Sequence, residues 1–137
     1  SVNSLSIGIV VSEWNRDITN NLFVSTCKTL ISYGVKNSNI NKIVVPGSFE
    51  LIYGAKIAYK SKPDVIICLG CVVKGDTDHF KFICEAVSNG IKDLNIQFSI
   101  PVIFGVLTVD NIKQAFIRSE KTNPFRRRSG GWKNRTC

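Results

Sequence analysis

Apolar residues along this chain follow two alternating rhythms. Short, nearly unbroken runs rich in β-branched residues cover Leu5 to Val11, Ile40 to Val45, Asp64 to Gly70 (the apolar run carrying on to Val73) and Ile100 to Leu107. Runs of this kind suit strands covered on both faces, as in a parallel sheet. Between them the apolar positions spread to helical spacing. The first helical stretch, about Ile18 to Tyr33, turns Leu22, Phe23, Cys27, Leu30 and Ile31 to one side, with Gly34 placed to stop it. A second, about Phe49 to Lys60, follows the tight Pro46-Gly47 turn and ends before Pro63. The third starts near His79, where Phe80, Ile83, Cys84, Val87 and Ile91 recur and Asp76, Thr77 or Asp78 stands ready to cap. The fourth runs from about Asp110 to Ser119, with Ile112, Ala115 and Phe116 inward.

Strands and helices that alternate through short connections build right-handed βαβ units. The expected fold is therefore α/β, a three-layer α/β/α sandwich on a four-stranded parallel sheet. At 137 residues and 44% hydrophobic content, the chain has enough apolar material for one domain with a real core, residues 1–137, and too little for two. No apolar run approaches the roughly 20 residues that span a bilayer. The start, SVNSLSIGIVVSEWN, shows neither a basic leader nor a cleavage site, so a soluble, cytoplasmic protein without a membrane partner is expected.

Charge refines this picture through its distribution. The net charge is +8, yet from Arg118 onward Arg118, Lys121, Arg126, Arg127, Arg128, Lys133 and Arg135 face only Glu120, a balance of +6 that leaves +2 for residues 1–117. The body is near neutral and the basic character belongs to a tail. Residues 119–137 read as a poorly ordered basic tail, in which Arg126 to Arg128 with Trp132 offer charges and a stacking ring to nucleic acid. A solvated tail is the simpler reading, and nucleic acid is not expected as a partner.

Five cysteines, Cys27, Cys68, Cys71, Cys84 and Cys137, form no framework spacing, and four of them sit inside apolar strand or helix patterns where cysteine serves as a small hydrophobe. Cys68 and Cys71 make a CxxC, but along a strand rather than opening a helix as redox pairs do. No second CxxC or nearby histidine completes a zinc set, so no metal site is expected.

The strand ends of a parallel sheet share one edge, where ligands bind in open α/β sheets. The first strand leads there to Trp14 and Asn15, the second to Pro46, Gly47, Ser48, Phe49 and Glu50, and the third to Lys74, Gly75, Asp76, Thr77 and His79. His79, the chain's sole histidine, falls in the first turn of a helix. An imidazole there is suited to proton transfer near neutral pH, and a helix start favours anions. Trp14 is suited to stack on a heteroaromatic ring, Ser48 and Glu50 to bind hydroxyls, and Lys74 with the Gly75 turn to hold an anion. Taken singly these residues have plainer readings: Trp14 as a half-buried anchor, Ser48 and Glu50 as a helix start, Lys74 and Asp76 as solvated loop charges. Their convergence on one flat polar ring, a polyol and a phosphate is what carries weight.

IVVSEWN (9 to 15), VVPGSFEL (44 to 51), DVIICLGCVVKGDTDHF (64 to 80) and IPVIFGVLTVDNIKQAFIR (100 to 118), in that order, resemble the lumazine synthase family. The resemblance covers most of residues 5 to 118. It implies a flavodoxin-like, doubly wound topology and a transferase of riboflavin biosynthesis. Such an enzyme condenses 5-amino-6-(D-ribitylamino)uracil with 3,4-dihydroxy-2-butanone 4-phosphate, giving 6,7-dimethyl-8-ribityllumazine, phosphate and water without metal or organic cofactor. It implies Trp14 as the stacking ring with Asn15 beside it. Ser48, Phe49 and Glu50 then hold pyrimidine and ribityl chain, and Val72 and Val73 offer backbone contacts to the ring. Lys74, Gly75, Asp76 and Thr77 fall on the phosphate-binding turn, and His79 is the proton-transfer residue. Phe104 and Arg118 match groups that reach a neighbouring subunit's site, Arg118 holding phosphate. A homo-oligomer follows, a pentamer or a multiple of pentamers up to a hollow shell, with sites at subunit interfaces.

Past Arg118 the resemblance stops. The family continues with a glycine-rich turn, an Asn-Lys-Gly element and a final amphipathic helix, whereas this chain reads SEKTNPFRRRSGGWKNRTC, which lacks helical periodicity. The family's lysine and glutamate from that region have no clear counterpart. The change of composition reads as a truncation or an altered reading frame, and makes a catalytically impaired assembly protein the alternative function.

Overall fold

The computed structural model describes residues 1–120. The basic segment beyond Glu120, with the readings made of it above, lies outside the described residues. Four strands, β1 (Ile7–Ser12), β2 (Ile40–Val45), β3 (Val65–Val73) and β4 (Val102–Val109), alternate with four helices, α1 (Arg16–Ser32), α2 (Leu51–Tyr59), α3 (His79–Gln97) and α4 (Ile112–Ser119). The sheet is wholly parallel in the order β2-β1-β3-β4. This is the flavodoxin-like order, and its topological switch lies between β1 and β3.

The sequence patterns map onto this sheet by position. β1 is buried at every residue and β3 nearly so, because both are central and covered on both faces. β2 and β4 mix buried and exposed positions because they are the edges. Helices α2 and α3 cover one face and α1 with α4 the other. Val10, Ile66, Cys68, Val72 and Val106 point to the first face with Leu51, Ala55, Val87 and Ile91. Ile7, Ile9, Val11 and Leu69 point to the second with Phe23 and Cys27, and Cys71 packs there near Ile18, Val109 and Ala115. Among the described residues no helix is long and apolar enough to cross a membrane.

The expected boundaries move by a few residues, each for a local reason. Residues Val2–Ser4 wind into a short 3-10 turn, so β1 starts at Ile7. Pro101 has no N–H to give a ladder, and β4 starts after it. Gly34 adopts φ +102° just past α1, the left-handed stop its position suggested. The cap of α3 differs from expectation. Asp78 occupies the N-cap position but its side chain accepts no capping bond, and the Thr77 hydroxyl reaches the His79 N–H only at 3.4 Å.

Candidate functional site

The pairing of the central strands creates the site. β1 and β3 pair from Ile7–Val65 to Val11–Leu69 and then part, whereas β3 and β4 stay paired through Val73–Val109. Residues 70–73 therefore have β4 on one side and a crevice on the other. Strand alternation decides which backbone groups face it. The N–H groups of Ile66 and Lys74 bond to β4 at Pro101 and Val109, at 3.1 and 2.9 Å. With unbroken register between them, even-numbered residues of β3 turn their polar backbone groups to β4 and odd-numbered ones to the open side. Val73 thus presents its N–H and C=O to the crevice. Val72 turns its own to β4 and buries its side chain under α2 and α3.

Asn15 closes one wall. It sits in the left-handed region at φ 59°, ψ 49°, a conformation that asparagine tolerates better than most residues, and its side-chain amide donates to the Cys71 carbonyl at 3.4 Å. The bend turns the chain from β1 into α1, and the amide takes over a β3 carbonyl that β1 no longer reaches. Before it, Trp14 stands 73% exposed at the rim. Its backbone N–H bonds the Pro46 carbonyl at 2.9 Å, and the Glu13 N–H bonds that of Val45 at 2.8 Å. The loops after β1 and β2 are thereby laced together.

The second loop forms a 3-10 turn, Ser48–Glu50. Glu50 folds back so that one carboxylate oxygen accepts the Gly47 N–H at 3.0 Å, which leaves its other oxygen for a further donor. The reading of Glu50 as a cap therefore holds, and its half-buried carboxylate stands at the sheet edge. Phe49 is 57% exposed, a second aromatic surface at this edge, while Ser48 is buried.

The third loop, Lys74 to His79, is exposed at every position. Gly75 needs no positive φ, and a Cβ there would meet nothing within 4 Å, so its own chain does not demand glycine. The open space lies beside the first turn of α3, whose uncapped N–H groups and helix dipole suit an anion.

Within one chain the sheet edge gathers Trp14, Asn15, Ser48, Phe49, Glu50, Val73 and the loop from Lys74 to His79. Phe104 and Arg118 stand apart from it. Phe104 is exposed halfway along β4, in register with Cys68, and Arg118 lies in the last turn of α4, which leads away from that edge. The CxxC resolves by parity: Cys68 faces the α2/α3 core and Cys71 the opposite one, so the two thiols cannot share a metal or a disulfide. Burial pushes Cys68 up to about 12 and Cys71 to about 11, which keeps both protonated near neutral pH.

Ser12 carries a feature that pattern reading overlooked. The last residue of β1 is 1% exposed, and its hydroxyl, like that of 7%-exposed Ser48, finds no hydrogen-bond partner among the described residues. A buried hydroxyl left unpaired costs about 1–3 kcal/mol. A lone serine closing the apolar run IGIVVS was the only sequence signal of it.

A family model described as 6,7-dimethyl-8-ribityllumazine synthase matches residues 4–134. Relatives named 6,7-dimethyl-8-ribityllumazine synthase include that of Cytophaga hutchinsonii, 50% identical over 120 residues that cover 87% of this chain and 76% of the relative. Those of Parabacteroides distasonis and Christiangramia forsetii are 51% and 53% identical over 112 and 114 residues, covering 81% and 82% of this chain and 70% and 68% of the relatives. With a family match that takes in all three loops of the crevice and relatives about half identical across most of the chain, this protein belongs to the 6,7-dimethyl-8-ribityllumazine synthase family.

Proposed function

We propose that this chain condenses 5-amino-6-(D-ribitylamino)uracil with 3,4-dihydroxy-2-butanone 4-phosphate in the β1/β3 crevice, releasing phosphate and water and forming 6,7-dimethyl-8-ribityllumazine. The observation that supports the reading is the parting of β1 from β3 beneath three loops, with Trp14 and Asn15 on one side and the start of α3 on the other. Trp14 and Phe49 offer faces to the pyrimidine, and Asn15 and the Val73 backbone offer edge contacts. Glu50 and the backbone of the Ser48–Glu50 turn lie where the ribityl chain would run, the Ser48 hydroxyl itself being buried. Val72 contributes by shaping the wall, since its backbone groups face β4. The phosphate sits at the Lys74–Thr77 loop against the amides of α3.

The pyrimidine's 5-amino nitrogen attacks the ketone, and loss of water gives an imine. A carbon-bound proton leaves as the phosphate C–O bond breaks, and the ribityl-bearing nitrogen then closes the ring on the remaining carbonyl with loss of a second water. Each step moves a proton, and His79 at the start of α3 is placed to carry it beside the leaving phosphate, a contribution of about 10²–10⁴-fold. Holding two substrates in one crevice adds more, with effective molarities of roughly 10⁵–10⁸ M.

A homo-oligomer completes the site. Ile103 and Phe104 expose apolar surface on the edge strand β4, as do Phe82 and Ile96 on α3, in keeping with burial against a second copy. Phe104 and Arg118 would then serve a neighbour's crevice, Arg118 pairing with its phosphate. Pentamers are the expected closed assembly.

Incubating the full chain with both substrates tests this reading. The expected result is lumazine fluorescence that needs both compounds, with one phosphate released per lumazine formed. Assembly into closed oligomers with no rate above the protein-free background would refute it and leave an assembly protein with an idle site.

A further inference from the structure

Beneath the Ser48–Glu50 turn, two hydroxyls crowd one glycine. A Cβ built on Gly70 would lie 2.6 Å from the Ser48 hydroxyl, 3.3 Å from that of Ser12 and 3.0 Å from a Leu51 methyl. Both hydroxyls therefore lie within 3.3 Å of a single point on the α2/α3 side of the sheet, just where β1 and β3 part. Neither bonds the other or any other described residue, although each carries one donor and two acceptor positions. Two such groups, buried together next to leucine and glycine, call for a shared polar partner. One water can accept from one hydroxyl and donate to the other.

We propose that Ser12 and Ser48 together hold one buried water, and that through it Ser12 is a positioning residue for the Ser48–Glu50 turn. The water ties the end of β1 to the turn across Gly70. Glycine at position 70 is what leaves the two hydroxyls room. Ser12 touches no substrate, and its effect reaches the site through the orientation of Ser48, Phe49 and Glu50. The link to activity rests on reading that turn as the pyrimidine and ribityl side of the crevice, whereas the water itself does not.

Three readouts test it on the full chain. A high-resolution crystal structure is expected to show one water within hydrogen-bond distance of both hydroxyls, and clear density without it, or hydroxyls bonded elsewhere, would overturn the proposal. Urea midpoints for Ser12→Ala, Ser48→Ala and the double variant should show each single change lowering stability and the double lowering it no further than the worse single; additive or negligible losses would overturn it. In the two-substrate assay Ser12→Ala should raise KM for the ribitylaminopyrimidine by roughly tenfold, as loss of one net hydrogen bond would, with KM for the phosphate ester unchanged. An equal rise for both substrates, or none, would remove Ser12 from the positioning role. If the unaltered chain makes no lumazine, the proposed activity fails, while the density and the urea series still decide the water.

Discussion

Asn15 shows how much one residue can carry at a strand end. Its left-handed backbone makes the turn out of β1, and its side chain supplies the donor that the Cys71 carbonyl lost when β1 and β3 separated. The two roles can be pulled apart. Asn15→Gly keeps the turn but strands the Cys71 carbonyl, so a loss of about 1 kcal/mol is expected, with weaker binding of the pyrimidine substrate. Asn15→Ala should cost about 1–2 kcal/mol in addition, because alanine pays for φ 59°. Urea denaturation and KM for each variant check this, and equal behaviour of the two would contradict it. The sequence showed where such residues stand, since tryptophan, asparagine and histidine just past apolar runs are conspicuous. It did not show conformation: nothing local distinguishes an asparagine that caps from one that bridges to a strand 56 residues away.

Elements were legible where β-branched apolar residues run together or an apolar face keeps its period. β1 and β3 read as strands because both faces are covered, and α3 because its apolar face keeps period over nineteen residues. The overshoot of β3 past β1 was not legible, since Gly70 reads as a strand end and pairing to β4 is a tertiary fact. Asn95 is a similar case. From within α3 its side chain accepts the Val102 N–H at 2.8 Å and donates to the carbonyls of Val102 and Ile91 at 2.8 and 3.0 Å, clamping the helix end to the start of β4. Asn95→Ala should lower stability by about 2 kcal/mol through the stranded Val102 groups, and a urea midpoint equal to that of the unaltered chain would deny the clamp.

The buried thiols give this scale a pH dependence. Desolvation raises Cys68 and Cys71 from 9.0 to about 12 and 11, so their burial is undisturbed below pH 9. Above it the unfolded chain releases these protons first, and stability falls as pH climbs toward the folded values. The drop in urea midpoint from pH 8 to pH 10 should shrink in Cys68→Ala/Cys71→Ala; an unchanged drop would place the cause elsewhere.

At the scale of the whole molecule, the proposed site needs two chains, one to supply the crevice and a second to finish it. Arg118 lies at the end of α4, away from the edge that holds His79, so in the proposed oligomer a subunit lacking one would serve a neighbour lacking the other. Arg118→Ala should raise KM for the phosphate ester by roughly 10- to 100-fold, the range for a charge-assisted hydrogen bond. His79→Ala and Arg118→Ala chains, unfolded and reassembled together, should show more activity at low levels of the phosphate ester than either variant alone. No recovery in mixed oligomers would place Arg118 outside the neighbour's site. Fold class was readable because it follows from the alternation of strand and helix patterns, whereas assembly is expected only through family resemblance, since exposed Phe104 carries no address of its own.

The most direct test of the account is the initial rate of lumazine formation by the full chain and by its His79→Ala variant at saturating levels of both substrates. The expected rate is proportional to protein and well above background, falling by about 10²-fold or more in the variant while some activity persists. A rate at background, or a variant as fast as the unaltered chain, would contradict it.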